Sequence, residues 1–227
     1  MGFKLTEIVP WGRSYTEYVD MFALTKTDVT KKILGCGDGP ASFNALLTKT
    51  GGKVISVDPL YEFSQDAIAV RIKETFAVVI EQVRLNQQEF VWNKITSVEA
   101  LGNIRLSAME AFLADYPEGV KAGRYQQMRL PVLAFPEQYF ALALCSHLLF
   151  LYSEQLSESF HLAAIKELCR VSAEVRIFPL LELDGQLSRH LPAVLQQLTA
   201  DGYLTQLSTV AYEFQKGGNQ MLMVKQM

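Results

Sequence analysis

The sequence predicts a doubly wound α/β domain, and three observations lead there. An apolar run, Ile33-Leu34, leads into a glycine-rich turn, Gly35-Cys36-Gly37-Asp38-Gly39. A helix-like stretch with Phe43, Leu46 and Leu47 follows, and a β-branched run, Val54-Ile55-Ser56-Val57, ends at Asp58. Strand, turn, helix and strand within about 30 residues make the βαβ unit of a parallel sheet. Beyond residue 122 the strand and helix alternation resumes.

Taken in order, residues 1–30 form a leader in which Pro10-Trp11-Gly12-Arg13-Ser14 is a turn. Tyr15, Tyr18, Val19 and Phe22 then recur at helical spacing. Pro40 suits the first position of the next helix, where a missing N–H costs nothing. That helix should stop at Gly51-Gly52. Residues 61–122 interrupt the alternation with helices. Ile68, Ile72, Phe76, Val79, Ile80 and Val83 share one stripe. Thr96 with Glu99 reads as a capping box for a second helix carrying Leu101, Ile104, Met109, Phe112 and Leu113. No Pro/Gly/Ser-rich linker sets this insertion apart, so residues 1–227 read as one domain. Strands are expected at about residues 124–129, 139–145, 174–178, 205–210 and 221–225, with helices at about 154–171 and 191–200.

Composition excludes some classes of function. Of the 227 residues, 49% are hydrophobic and 20% charged, which suits a globular chain with a sizeable core. The net charge of -3 and a pI near 5.7 argue against a general DNA binder. Cys36, Cys145 and Cys169 form no CxxC pair; two of them fall in strand-like apolar runs and read as buried thiols, which suits a reducing cytoplasm. Residues 1–7 lack the apolar core of a signal peptide. The apolar stretch at 140–152 is too short to span a membrane and carries Ser146 and His147. His161 and His190 have no partners at metal spacing, so no metal is expected.

The chemistry lies in Gly35-x-Gly37-x-Gly39 taken together with Asp58. A backbone passing close to a nucleotide leaves no room for Cβ atoms, and a helix start beyond the turn offers free N–H groups. An acid 23 residues past Gly35, at the end of a neighbouring strand, can accept two hydrogen bonds from a ribose diol. A dinucleotide fingerprint places its third glycine where Pro40 stands, which favours S-adenosylmethionine over NAD.

From about residue 31 onward the chain resembles the class I S-adenosylmethionine-dependent methyltransferases. Ile33-Leu34-Gly35-Cys36-Gly37-Asp38-Gly39 is similar to the first motif of that family, and Val54-Ile55-Ser56-Val57-Asp58 to the second. Residues 130–140 resemble the approach to the fourth strand. Ala141-Leu142-Ala143-Leu144-Cys145-Ser146-His147 resembles that strand and the loop under the methionine end of the cofactor. The segment from Tyr203 to Lys225 resembles the closing reversed hairpin of that fold. The resemblance implies a Rossmann-like seven-stranded, mostly parallel sheet with its last strand antiparallel and a helical insertion between strands 2 and 3. It also implies S-adenosylmethionine as cofactor. On that basis the turn from Gly35 through Cys36, Gly37, Asp38 and Gly39 passes against methionine and ribose, and Asp58, followed by Pro59, holds the ribose. Backbone groups of Met128, Arg129 and Leu130 meet the adenine, while Cys145 and Ser146 lie near the methionine end. Three positions depart from the family pattern: Ile33 and Ala141 replace acids, and Arg129 falls where an acid commonly reads the adenine amino group. An Asn/Asp-Pro-Pro-aromatic motif is absent after the fourth strand.

Three further residue groups bear on the reaction. His147 can act as a general base or through a hydrogen bond near the reacting methyl, or be satisfied by backbone. Arg13 can pair with the carboxylate of the cofactor if the leader folds over the sheet edge as a lid with Trp11, Tyr15 and Tyr18. Phe90 and Trp92 of the insertion can shape an acceptor pocket or simply fill core. An acidic chain with such an insertion favours a small-molecule acceptor and no membrane partner. An RNA or protein substrate, or binding without catalysis, remain the alternatives.

Overall fold

The computed structural model describes residues 8–226; residues 1–7, on which the signal-peptide expectation rests, lie outside the described residues. The first βαβ unit forms where the pattern places it. Strand β1 (Lys32–Cys36) leads through the glycine turn to α2 (Phe43–Lys49) and β2 (Lys53–Val57), after a short leading helix α1 (Tyr15–Met21). Two long helices follow, α3 (Gln65–Leu85) and α4 (Val98–Lys121). The rest is β3 (Tyr125–Gln126), β4 (Leu142–Ser146), α5 (Glu158–Val171), β5 (Val175–Phe178), α6 (Leu191–Ala200), β6 (Tyr203–Thr209) and β7 (Gln220–Gln226).

The seven strands lie in the order β3-β2-β1-β4-β5-β7-β6. The first five are parallel, and β7 runs antiparallel to both β5 and β6, as the resemblance implies. Alternate side chains serve opposite faces because successive Cβ atoms point to opposite sides of a strand. Leu34, Ala143, Val175 and Ile177 pack on Ile165, Leu168 and Val194 of α5 and α6. Ile33, Leu142 and Leu144 pack on Tyr18, Met21, Phe43 and Leu47 of α1 and α2. Burial on both faces explains why these strands read as unbroken apolar runs.

Register sets the site. Cys36 pairs with Val57 on one side and Cys145 on the other, and Cys145 pairs with Ile177. The carboxyl ends of β2, β1, β4 and β5 therefore stand level, and the residues just beyond them form one rim.

Four local expectations shift. Pro40 is not the first helical residue: α2 opens at Phe43 behind Ser42, and Pro40 closes the glycine turn. The cap of α4 is Ser97 rather than Thr96, its side chain accepting from the Ala100 N–H. Strand β3 is two residues long because its partner β2 ends at Val57, leaving nothing to pair with beyond Gln126. Helix α5 begins four residues late because Ser157 caps it, accepting from the Phe160 N–H, a contact worth about 1 kcal/mol.

The helices between β2 and β3 divide their work. Helix α4 carries the crossover from β2 to β3 and packs on α2. Helix α3 is layered on α4, with Ile68 and Ile72 against Met109 and Phe112, and Val79 and Val83 against Leu101. No helix among the described residues is long and apolar enough to cross a membrane.

Candidate active site

A cavity of about 690 Å³ opens over the rim formed by β2, β1, β4 and β5. Every residue that the sequence assigned to the cofactor or to catalysis lines it except Gly35 and Cys145, which lie in the strands beneath. Insertion helices, leader and final hairpin complete its walls, through Leu101, Arg13 and Phe214 among others.

The glycine turn forms the floor. Gly37 and Gly39 have positive φ, at 68° and 50°. Gly35 has a different reason to lack a side chain, since a Cβ there would stand 1.8 Å from Oδ2 of Asp38. The Asp38 carboxylate is folded back under the turn. It accepts from Tyr18 Oη at 2.8 Å and Ser56 Oγ at 2.6 Å. Burial pushes the Asp38 carboxyl up to about 6. Hydrogen bonds from Ser56 and Tyr18 oppose that rise, and the Asp58 charge adds a smaller upward push. An acid thus braces the turn from inside although Ile33 occupies the usual acidic position. Asp38 lines the cavity but spends its hydrogen bonds on the fold.

Asp58 stands just past β2. Its Oδ2 accepts from the Gly39 N–H at 2.9 Å and its Oδ1 from the Leu60 N–H at 2.8 Å. These bonds aim the carboxylate across the turn. A carboxylate offers about four lone-pair sites, so acceptor capacity remains on both oxygens. Burial raises its pKa, and the two backbone donors oppose the rise. Tyr61 donates to the Gly39 carbonyl at 2.8 Å and fixes the other side of the turn. On the far edge, Met128 is half-buried, Leu130 is buried and Arg129 is exposed, so the Arg129 side chain does not replace the missing acid.

At the end of β4, His147 has φ 51°, a left-handed conformation uncommon for a residue with a Cβ. Its N–H donates to the Phe178 carbonyl at 2.7 Å, and its Nδ1 lies 2.9 Å from Ser146 Oγ. Burial, then the charges of Arg13 and Arg105, hold its pKa well below the usual imidazole value. The ring is neutral at pH 7, which suits hydrogen bonding better than cationic chemistry.

The leader crosses the cavity as a strap. The Arg13 carbonyl accepts from the Ser42 N–H at 3.0 Å, and Trp11 packs on Phe76 of α3 with ring centroids 5.7 Å apart. Glu17, one turn into α1, forms a capping box with Ser14 and takes the Arg105 guanidinium at 2.5 Å and Tyr212 Oη at 2.9 Å. Arg105, Glu17 and Tyr212 escaped the sequence reading. A signal for Arg105 was present, because it falls on the same face of α4 as Leu101 and Phe112. A charge on an apolar stripe marks a buried partner. Ser14-x-x-Glu17 was legible as a cap, whereas Tyr212 carried no sequence signal. Of the two insertion aromatics, Phe90 lines the cavity, while Trp92 packs edge-on against Phe214.

No family model matches the chain. Over 223 residues, 98% of this chain and 98% of the relative, it is 33% identical to the uncharacterized protein MJ0045 of Methanocaldococcus jannaschii. Among solved structures, the mitomycin 7-O-methyltransferase MmcR superposes with a TM-score of 0.50 and 10% identity, covering 94% of this chain and 54% of that one. The methyltransferase domain of bacterial CtHen1 gives a TM-score of 0.49 at 13% identity, over 93% of this chain and 98% of that one. The chain belongs to the family of the uncharacterized protein MJ0045, and its fold is that of the class I S-adenosylmethionine-dependent methyltransferases.

Proposed function

We propose that this protein is an S-adenosylmethionine-dependent methyltransferase acting on a small-molecule acceptor. The observation that carries the reading is the joining of two halves in one cavity. A glycine turn and an aimed carboxylate stand at the ends of β1 and β2, and an apolar chamber lies beyond the ends of β4 and β5. The residues present fit the cofactor. Asp58 keeps acceptor capacity for a ribose diol, the glycine turn leaves room for close approach, and Met128 and Leu130 bound the place for adenine. When bound, the cofactor supplies an electrophilic sulfonium methyl.

What the chain supplies is alignment and dryness. Apolar side chains such as Val83, Phe90 and Phe214 exclude water from the acceptor side, and placing the acceptor in line is worth several kcal/mol. Neutral His147 is positioned to accept a hydrogen bond from an acceptor hydroxyl or amine. The apolar wall of Val83, Phe90, Leu101 and Phe214 favours a small molecule over RNA.

Calorimetric titration with S-adenosylmethionine, S-adenosylhomocysteine and NAD tests the reading. Micromolar binding of the first two and none of NAD is expected. Asp58→Asn should weaken S-adenosylhomocysteine by at least tenfold, about 1.4 kcal/mol, through loss of charge-assisted hydrogen bonds. Tighter binding of NAD, or no binding of the adenosyl compounds, would sink the proposal.

A further inference from the structure

The acceptor end of the cavity holds more positive charge than negative. Arg13 and Arg105 both line it, and among the described residues Glu17 is the one carboxylate ion-paired there, with Arg105. Glu17 is already shared among Arg105, Tyr212 and the Ser14 cap. Burial works against its ionisation, but Arg105 and Arg13 outweigh it and hold the carboxyl down at about 2. His147 is neutral, and burial pushes the Tyr152 and Tyr212 hydroxyls above their usual range, so none of these groups offsets the second guanidinium.

Hydrogen bonding is incomplete as well. Arg105 is 1% exposed, yet its Nε has no partner among the described residues, and neither does the buried Nε of Arg13. Arg13 donates from Nη1 to the Trp11 carbonyl, and Arg105 spends its other nitrogens on Glu17 and Tyr212. Arg13 is half-buried and shares the Glu17 charge with Arg105, so its guanidinium and the unpartnered Nε atoms are costly to hold unless a ligand completes them. Burial, followed by the Arg105 charge, lowers the Arg13 pKa to about 10, in keeping with that imbalance.

The place of the cluster indicates which ligand. Tyr212 packs edge-on against Phe178 with centroids 5.7 Å apart, and His147 lies 5.6 Å from the same ring. Phe178 ends β5, whereas Asp58 follows β2, with β1 and β4 between them. Three strand spacings, about 14 Å, separate the two ends. Immediately beside the cluster lies the apolar group of Val83, Phe90, Leu101, Leu183 and Phe214.

Building on the methyltransferase reading, we infer that the acceptor is a small molecule with an apolar body and one carboxylate or comparable monoanion. The anion sits against Arg13 and Arg105, and the body lies along the wall formed by Leu101 and Phe214. Glu17 is a positioning residue that keeps Arg105 extended toward the cavity.

The test uses 4-phenylbutyrate and its neutral amide, titrated into the protein with and without saturating S-adenosylhomocysteine. The acid should bind about tenfold tighter than the amide, a preference that a charge-assisted bond to guanidinium supplies. Arg13→Gln leaves the Glu17 and Arg105 pair intact and should erase that preference while changing S-adenosylhomocysteine affinity by no more than about twofold. Arg13→Lys should restore part of the preference. Equal binding of acid and amide to the wild type overturns the proposal. So does an Arg13→Gln variant that weakens S-adenosylhomocysteine but not 5′-methylthioadenosine, which lacks the amino-acid end. The arginine would then serve the carboxylate of the cofactor. Failure of the methyltransferase reading shows separately, as a wild type that binds no S-adenosylhomocysteine. An acid preference surviving there would keep the anion site and remove the acceptor role, overturning the proposal as stated.

Discussion

The Asp38 carboxyl sits where burial opposes its charge, and its titration should be measurable in the stability of the protein. The folded state holds the proton more tightly than the unfolded chain, with a pKa of about 6 against an ordinary 3.8. Stability from this group is therefore largest at low pH, falls as pH rises from about 4 to 6, and is level above. The difference over that window is on the order of 3 kcal/mol. Urea unfolding of the wild type and Asp38→Asn between pH 4 and 7 should show the variant without this decline. Parallel curves would assign the titration elsewhere. Asp38 also illustrates the limits of reading single residues. The spacing of Gly35, Gly37, Gly39 and Asp58 was legible because a local turn dictates it. That Asp38 folds beneath Gly35 to meet Tyr18 and Ser56 depends on α1 and β2 closing around it, which no local pattern records.

Helices α1 and α4 are joined by a buried ion pair, and the cost of breaking it is asymmetric. Glu17→Ala would leave Arg105 buried without a counter-charge, and a loss of about 3–5 kcal/mol is expected in chemical denaturation. Glu17→Leu combined with Arg105→Met should recover part of that loss, because both charges leave together. A single-variant cost below about 1 kcal/mol would mean that solvent reaches the guanidinium. Most elements were legible as periodic segments, down to the bounds of α6, because burial on a helix face or on both faces of a strand fixes the pattern. Their ends were less so. Thr96 and Ser97 are both good caps, and only the packing of Val98 and Leu101 selects the second. Strand β3 owes its brevity to the length of β2 rather than to its own residues.

The cavity draws its walls from segments scattered between Ile8 and Gly218, so a ligand there ties together parts of the chain that are remote in sequence. S-adenosylhomocysteine at a hundredfold excess over its dissociation constant should raise the unfolding free energy by about 2.7 kcal/mol. Thermal denaturation with and without ligand checks this, and an unchanged midpoint would place the compound outside the native fold. The seven-stranded, mostly parallel character of the sheet followed from the glycine turn and the resemblance it supported, whereas the order of its strands did not. The charge balance around Arg13 and Arg105 was hidden, since Arg13, Glu17, Arg105 and Tyr212 meet only through tertiary structure. The cysteines carry a different implication. Cys36 and Cys145 face one another across adjacent strands and Cys169 lies on α5, all three buried. Burial pushes Cys145 and Cys169 up to about 12 and Cys36 well above the usual thiol value. Only the thiolate attacks, so alkylating reagents and oxidants meet no nucleophile while the sheet is closed. Cys145 and Cys169, which lie away from the cavity, are thus built-in clocks: the pace of their modification records how often β4 or α5 comes apart.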